Sequence, residues 1–313
     1  VVAYVLVLEE LSKACTSIAG TLNTHLAGCT ETICKYGTED QRKKFVPALA
    51  KGDKIGAFSV TESEAGSDIS KIQTTARRDG DSYVLNGTKI FVTNGSICST
   101  VLLFANVKEL NPRGMTAFIV EKDTPGVKLG QKYKKLGMHA MDNSDIIYED
   151  CRVPEANRLG AEGQGMRINL ESLDVGRLGV AAQGLGMTQT ILDKSVEYSK
   201  QRIQFGGPLS QNQGISFKLA DMATGLEAAR ALTHKAASLA GKGQPFRQYA
   251  AMAKLLATEG CMKAAVEGIQ IHGGYGYMMD LPMQRYFRDA KILEIYEGTS
   301  EIQRVVIAGA LLR

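Results

Sequence analysis

Hydrophobic and polar positions change rhythm twice along this chain. Apolar residues at Tyr4, Leu8, Leu11, Cys15, Ile18 and Leu22 recur every three or four positions, the spacing of one amphipathic helix. Thr38-Glu39-Asp40-Gln41 has the form of a capping box, ahead of a helix carrying Phe45, Val46 and Leu49. Residues 1–52 therefore read as helical. Between 53 and 157 the pattern is that of strands. Alternating or β-branched runs at 55–60, 82–85, 89–93, 100–107, 115–120 and 146–148 are separated by turn residues. Asn86-Gly87 is the strongest hairpin signal, and Asp79-Gly80-Asp81 predicts a turn centred on Gly80. Pro112, Pro125-Gly126 and Pro154 mark further loops. From 158 to 313 the helical period returns. Leu170 and Leu173 share a face, Leu255, Met262, Val266 and Ile269 form a stripe, and Ile302, Val305 and Val306 open a last helix. Such stripes predict core-facing surface. Helices, then strands, then helices predict an α+β multidomain fold of three consecutive regions.

Composition narrows the function classes. At 313 residues, 44% hydrophobic and 22% charged, the chain has the make-up of a globular protein rather than a disordered one. A net charge of +4 without a clustered basic face gives no case for nucleic-acid binding. The six cysteines form no C-x-x-C pair and have no histidines at zinc-ligand spacing, so they read as reduced, mostly buried thiols and no metal is expected. The apolar stretch 1–8 is followed at once by Glu9-Glu10, too short to span a bilayer and unlike a signal peptide. The expectation is a protein that is neither secreted nor membrane-inserted. The chain begins with Val1 inside a helical pattern that has no N-cap, which reads as a partial N-terminal domain.

Six segments could carry chemistry, and each also has a plain structural reading. The segment 58–68, Phe-Ser-Val-Thr-Glu-Ser-Glu-Ala-Gly-Ser-Asp, ends a strand in a loop of hydroxyls and glycine. It is either an ordinary turn or a source of N–H and Oγ donors for a phosphate or ring edge. In the strand 89–95, Phe91 and Thr93 are two apart and so share a face, where the aromatic could stack on a planar cofactor and the hydroxyl bond its edge. Asp174 and Arg177 share a helix face, as a surface ion pair or as a polar pair aimed at a nucleotide or pantetheine chain. Arg202, at a helix end before Phe205, either offsets the helix dipole or forks onto a diphosphate. Gln270-Ile271-His272-Gly273-Gly274 stops a helix at paired glycines that permit close backbone approach. Glu297, before Gly298-Thr299-Ser300-Glu301, is by itself an acid in a loop.

Together and in this order, these segments resemble the acyl-CoA dehydrogenase family from about Ala14 to the last residue. The resemblance implies a helical N-terminal domain, truncated here (1–52), a middle β-barrel-like domain (53–157) and a C-terminal four-helix bundle (158–313), assembled as a homotetramer. It implies FAD between the β-domain and the bundle. Phe58, Val60 and Thr61 would line the flavin, Ser67 with Gly66 before it would hold a phosphate, Phe91 would cover the ring and Thr93 would bond near N5. Arg202 and Phe205 would reach FAD from an adjacent subunit. Gln270, Gly273 and Gly274 would meet its adenosine diphosphate part, and Thr299 and Glu301 would approach it after the base. Asp174 and Arg177 would hold the CoA part, with Ser67 and Gly298 as further substrate contacts. Glu297 would remove the α-proton of a short-chain acyl-CoA as the β-hydrogen leaves as hydride to flavin N5, giving a trans-2-enoyl-CoA, and electrons would pass to an electron-transferring flavoprotein. Some branches carry the base one residue before the arginine of the Asp/Arg pair, but here that residue is Gly176, which cannot act as a base. An oxidase that uses oxygen, or an inactive fragment that binds FAD or CoA, are the alternatives. The implied location is the bacterial cytoplasm or the mitochondrial matrix.

Overall fold

In the computed structural model, which describes residues 1–110 and 114–312, the chain packs as two units interleaved along the sequence. One holds Val1–Gly20, Lys135–His139 and Arg177–Arg313, the other Thr21–Lys134 and Ala140–Gly176. Packing thus groups the chain differently from its order, dividing the first helical region between the units. The loop expected at Pro112 lies outside the described residues.

The second unit is built on one eight-stranded sheet. Its strands are β1 (Gly56–Ser59), β2 (Thr75–Asp79), β3 (Ser82–Thr93), β4 (Thr100–Val107), β5 (Met115–Glu121), β6 (Val127–Lys132), β7 (Asn143–Pro154) and β8 (Arg158–Leu159). The order is β6-β7-β3-β2-β4-β5-β8, with β1 also paired to β4. Strand β4 pairs antiparallel with β5 on one edge. On the other it pairs in parallel with β1 along its first half and with β2 at its end. Both its faces are buried. Val101, Leu103, Ala105 and Val107 join Tyr83, Leu85, Phe118 and Tyr148 in one core. Leu102 and Phe104 join Ile33, Phe45 and Leu49, from helices α3 (Glu31–Tyr36) and α4 (Glu39–Lys51), in another. A strand enclosed on both faces needs no polar alternation, which explains the near-continuous apolar run in its sequence.

Three local expectations hold in form but change in detail. The capping box is present: Gln41 N donates to Thr38 Oγ1, and Thr38 N donates to Gln41 Oε1. The turn at Gly80 joins β2 to β3. The single first helix is instead two, α1 (Val2–Ala14) and α2 (Thr16–Asn23), because Cys15 takes an extended conformation between them. After α2 the chain widens to a π-helical stretch, Thr24–Thr30. There Thr30 Oγ1 and Thr32 Oγ1 donate to carbonyls five residues back, at His25 and Ala27.

Asn86-Gly87 does not make a hairpin. Strand β3 runs straight through it with an irregularity in its pairing to β7, and Asn86 pairs side chain to side chain with Asp150. Glycine is needed there because a Cβ would lie 2.5 Å from Thr74 Oγ1 and 2.8 Å from Thr74 Cα. Dipeptide statistics see the missing side chain but not the neighbour that excludes it.

The first unit is helical: α5 (Gly165–Gln201) from Arg177 on, α6 (Gln213–Gly241), α7 (Arg247–His272), α8 (Gly274–Tyr277), α9 (Met283–Leu293) and α10 (Ser300–Leu311), with α1. Between α5 and α6 lies a hairpin of β9 (Ile203–Gln204) and β10 (Gly207–Pro208). Its tip, Phe205-Gly206, has positive φ at both residues, as a type I′ turn requires. The stripe expected to face the core on α7 does so only in part, through Met262 and Ile269, which pack against the core. Val266 is exposed, and Leu255, Met262 and Ile269 are half-buried. The buried face is made of small residues, Ala250, Ala253, Ala257, Cys261, Ala264 and Gly268, which let neighbouring helices approach closely. Glu9 of α1 is buried against α6, where Arg230 Nε donates to it at 2.9 Å. The segment Lys135–His139 is tied to α9 by Met138 N, which donates to Asp289 at 2.5 Å. Among the described residues, no helix is long and apolar enough to cross a membrane, and no group of three or more side chains could hold a metal ion.

Candidate active site

The link from α9 to α10 is a tight turn in the helical unit. Ser300 N donates to Glu294 O at 2.9 Å and closes it. Thr299 caps α10, accepting from Ile302 N. Within the turn Glu297 and Gly298 have φ of 56° and 91°. Positive φ strains a side-chain-bearing residue, so Glu297 is held there by its surroundings. At Gly298 the strain falls on glycine, and a Cβ would also lie 2.8 Å from Gln303 Nε2.

What holds the turn comes from α7 and α10. Lys254, fully buried, donates to Leu293 O at 3.0 Å and to Gly298 O at 2.7 Å. Gln303 Nε2 donates to the same Gly298 oxygen at 2.6 Å. Tyr296 OH, next to the acid, donates to Gln183 Oε1 of α5 at 2.5 Å. Burial pushes the Glu297 carboxyl up to about 7, although the charges of Lys254 and Arg177 work against the rise. Burial likewise lowers the Lys254 ammonium, against the support of Glu297. A carboxyl poised near neutrality can take a proton from a carbon acid and later release it. Arg177 is buried here rather than on the surface, as is Asp174 in the other unit.

A second group of expected site residues lies in the sheet unit. Phe58 packs edge-on against Phe104, with ring centroids 5.2 Å apart. Val60 and Thr61 are pinned to β3: Lys89 Nζ donates to Val60 O at 2.8 Å and Ile90 N to Thr61 O at 2.9 Å. Gly66 and Ser67 are exposed just after a bridge between Glu62 and Ala65. Phe91 is 56% exposed, has φ of 56°, and tilts against Tyr133. The pairing with β7 slips between Lys89 and Val92, so even spacing does not by itself put Phe91 and Thr93 on one face. Both nonetheless lie outside the core.

The remaining expected residues are on the surface of the helical unit. Arg202 places its guanidinium 5.9 Å from the Tyr275 ring, beside Gly273, Gly274 and His272. His272 is structural: its Nδ1 bonds Gly268 O at 2.8 Å, and its ring stacks on Tyr198. Gln270 is exposed, and Phe205 stands fully in solvent. Thr299 and Glu301 flank the start of α10 beside Glu297.

Sequence reasoning missed Lys254, Gln303, Gln183 and the Lys89–Glu62 pair. One signal was available for Lys254. It falls in phase with Ala250, Ala257 and Cys261, on the small-residue face of α7. A lysine in step with core positions must find acceptors there.

Three family models match the chain: the acyl-CoA dehydrogenase N-terminal domain over residues 1–53, the middle domain over 57–151 and the C-terminal domain over 163–312. An acyl-CoA dehydrogenase of Bacillus subtilis (strain 168) is 47% identical over 313 residues, covering 100% of this chain and 83% of that protein. The butyryl-CoA dehydrogenase structure from Megasphaera elsdenii superposes with a TM-score of 0.97 at 47% identity, over 99% of this chain and 82% of the other. A chain in the structure described as the electron transferring flavoprotein of Acidaminococcus fermentans matches with a TM-score of 0.97 at 46% identity, over 99% of this chain and 82% of that one. The chain belongs to the acyl-CoA dehydrogenase family.

Proposed function

We propose that this member of the acyl-CoA dehydrogenase family performs FAD-dependent α,β-dehydrogenation of a short-chain acyl-CoA, with Glu297 as the base. The observation that carries the assignment of the base is the Glu297 carboxyl. It is half-buried, held in a strained turn, flanked by Lys254 and Arg177, and poised near 7.

The residues present fit FAD. At Gly274 a Cβ would meet nothing within 4 Å, so the chain's own packing does not demand glycine there, unlike Gly273, whose φ of 59° itself calls for glycine. A ligand that approaches the backbone would. Phe91 and Phe205 are aromatic side chains left largely in solvent, suited to a planar partner. In the sheet unit Phe58, Val60, Thr61, Gly66, Ser67, Phe91 and Thr93 would hold it. In the helical unit Arg202, Phe205, Gln270, Gly273, Gly274, Thr299 and Glu301 would do so. When bound, FAD supplies the acceptor for the substrate's β-hydride.

This chain's residues do the rest. The backbone N–H of Glu297 donates to the thioester carbonyl, and this stabilises the enolate-like charge that forms as the α-proton leaves. The Glu297 carboxylate takes that proton. Arg177 and Asp174 bind the CoA part, with Ser67 and Gly298 as further contacts. Gly176 leaves no competing base at the position before Arg177 on α5. An electron-transferring flavoprotein takes the electrons onward. A homotetramer in the cytoplasm or mitochondrial matrix goes with this reading. It is supported by the exposed Ile203, Phe205, Tyr275, Tyr277 and Met279 on the helical unit, which suit burial against another subunit.

The test is anaerobic reduction of purified holoenzyme. Butyryl-CoA should bleach the flavin. Glu297→Gln should keep its flavin and bleach at least about a thousandfold more slowly, as expected when a general base is lost. An FAD-loaded protein that butyryl-, octanoyl- and palmitoyl-CoA all fail to bleach would refute the reading. Turnover with an electron-transferring flavoprotein, without stoichiometric peroxide, separates a dehydrogenase from an oxidase.

A further inference from the structure

We propose that Lys254 is a positioning residue for the Glu297 carboxylate: its ammonium clamps the two carbonyls that bracket the catalytic turn and fixes one positive charge beside the base. The inference rests on the reading of Glu297 as the base.

The geometry is specific. Lys254 lies on the small-residue face of α7, with alanines one turn away on either side, so its side chain has no route to water. A fully buried ammonium must spend its protons on acceptors within reach. It uses them on Leu293 O, at the end of α9, and on Gly298 O, directly after Glu297. Those oxygens stand on either side of the acid. Fixing both sets the path of the backbone through Glu297, the residue with φ of 56°. Gln303, which shares the Gly298 oxygen, adds a second hold but no charge.

The charge matters because the other groups facing this spot are mixed. Arg177 comes from α5, Glu294 from the end of α9, and Glu301 from the first turn of α10. Tyr296 adjoins Glu297 but is spoken for by Gln183. Glu294 is engaged by Lys291 at 2.6 Å. Lys254 and Arg177 are thus the cations that favour the ionised form of Glu297, while burial favours the neutral form. A purely structural lysine would hold the turn but leave the protonation of Glu297 untouched.

The experiment compares FAD-loaded wild type with Lys254→Met, Lys254→Gln and Lys254→Arg, measuring flavin reduction by butyryl-CoA across pH and the affinity for crotonyl-CoA, the product. Removing the cation raises the proton affinity of Glu297, and the ionised carboxylate is the active form. Lys254→Met should therefore slow reduction about a hundredfold at neutral pH and move the rising limb of the profile upward by about one pH unit. Product affinity should stay within about threefold. Lys254→Arg, which keeps the charge but not the clamp geometry, should restore the midpoint while recovering only part of the rate. If Lys254→Met does not assemble with flavin, Lys254→Gln carries the same test, since its amide still reaches one carbonyl. A neutral variant with bound FAD and an unshifted midpoint overturns the proposal. Glu297→Gln, run alongside, keeps the two readings apart. If it retains the wild-type rate, the base assignment fails. If it is inactive while the lysine variants are unshifted, only the role of Lys254 fails.

Discussion

Two lysines of this chain are shut away from water, each with a glutamate beside it, and the two pairs are wired differently. In the sheet unit Lys89 Nζ donates directly to Glu62 at 2.7 Å. The same carboxylate also accepts from Gln73 N, Thr74 N and Thr74 Oγ1. Burial alone would raise Glu62, but Lys89 and these donors outweigh it and hold the carboxyl below its ordinary value. In the helical unit Lys254 gives its protons to two carbonyls instead. Glu297 takes no hydrogen bond from another described residue, and burial carries it up to about 7. The difference teaches where structure ends and chemistry begins. A carboxylate whose lone pairs are all met is a clamp, here for the loop 61–74. One left with its lone pairs unmet, beside a cation that turns two of its three N–H donors to backbone carbonyls, is available to a substrate proton.

The comparison can be broken at either end. The largest effect on stability is expected from Lys89→Met, which strands the buried Glu62 carboxylate. A loss of about 3–5 kcal/mol is expected from removing one partner of a buried pair, read from urea unfolding of the flavin-loaded protein. The double variant Lys89→Met/Glu62→Leu should recover most of it. If the single variant is as stable as wild type, Glu62 is not the clamp described. Glu297→Gln should go the other way. The Glu297 carboxyl titrates near 7 when folded against an ordinary 4.5, so the folded chain binds that proton more tightly. Between those values stability falls as pH rises. Glu297→Gln escapes the fall and should be more stable than wild type at about pH 8 by on the order of 1–2 kcal/mol, a gain that closes by about pH 4.5. Glu62 has the opposite sign: its folded value is depressed, so its contribution is present above the ordinary value and lost as acid protonates it. The smallest effect should come from Thr74→Val, which removes one of Glu62's donors and keeps the backbone one. Its cost should be about 1 kcal/mol, with an acid unfolding limb moved to higher pH. An unmoved acid limb would show that Oγ1 contributes nothing to holding Glu62 ionised.

Much of the fold was legible because it is local. The capping box at Thr38, the turn at Gly80, the helix stop at Gly273 and the continuous apolar run of β4 follow from spacing and backbone sterics. Local signals misled where a distant neighbour decided the outcome. Gly87 sits in mid-strand because Thr74 presses on it, and Cys15 breaks a helix whose periodicity runs straight across it. On α7 the large apolar side chains mark only the flank of the packing face, with Met262 and Ile269 against the core, because its fully buried centre is made mostly of small residues.

The sequence by itself determined which residue types stand at the site: an acid before glycine, an aromatic and a hydroxyl on one strand, paired glycines at a helix stop, and no acid at position 176 to compete. These are covalent facts and do not depend on packing. Only the tertiary structure decided what state the acid is in. The proton affinity of Glu297 depends on burial and on the charges of Arg177 and Lys254, 120 and 43 residues away along the chain by their numbers. Electrostatic energy is a function of distance through space and of the surrounding dielectric, and neither is written in the order of residues.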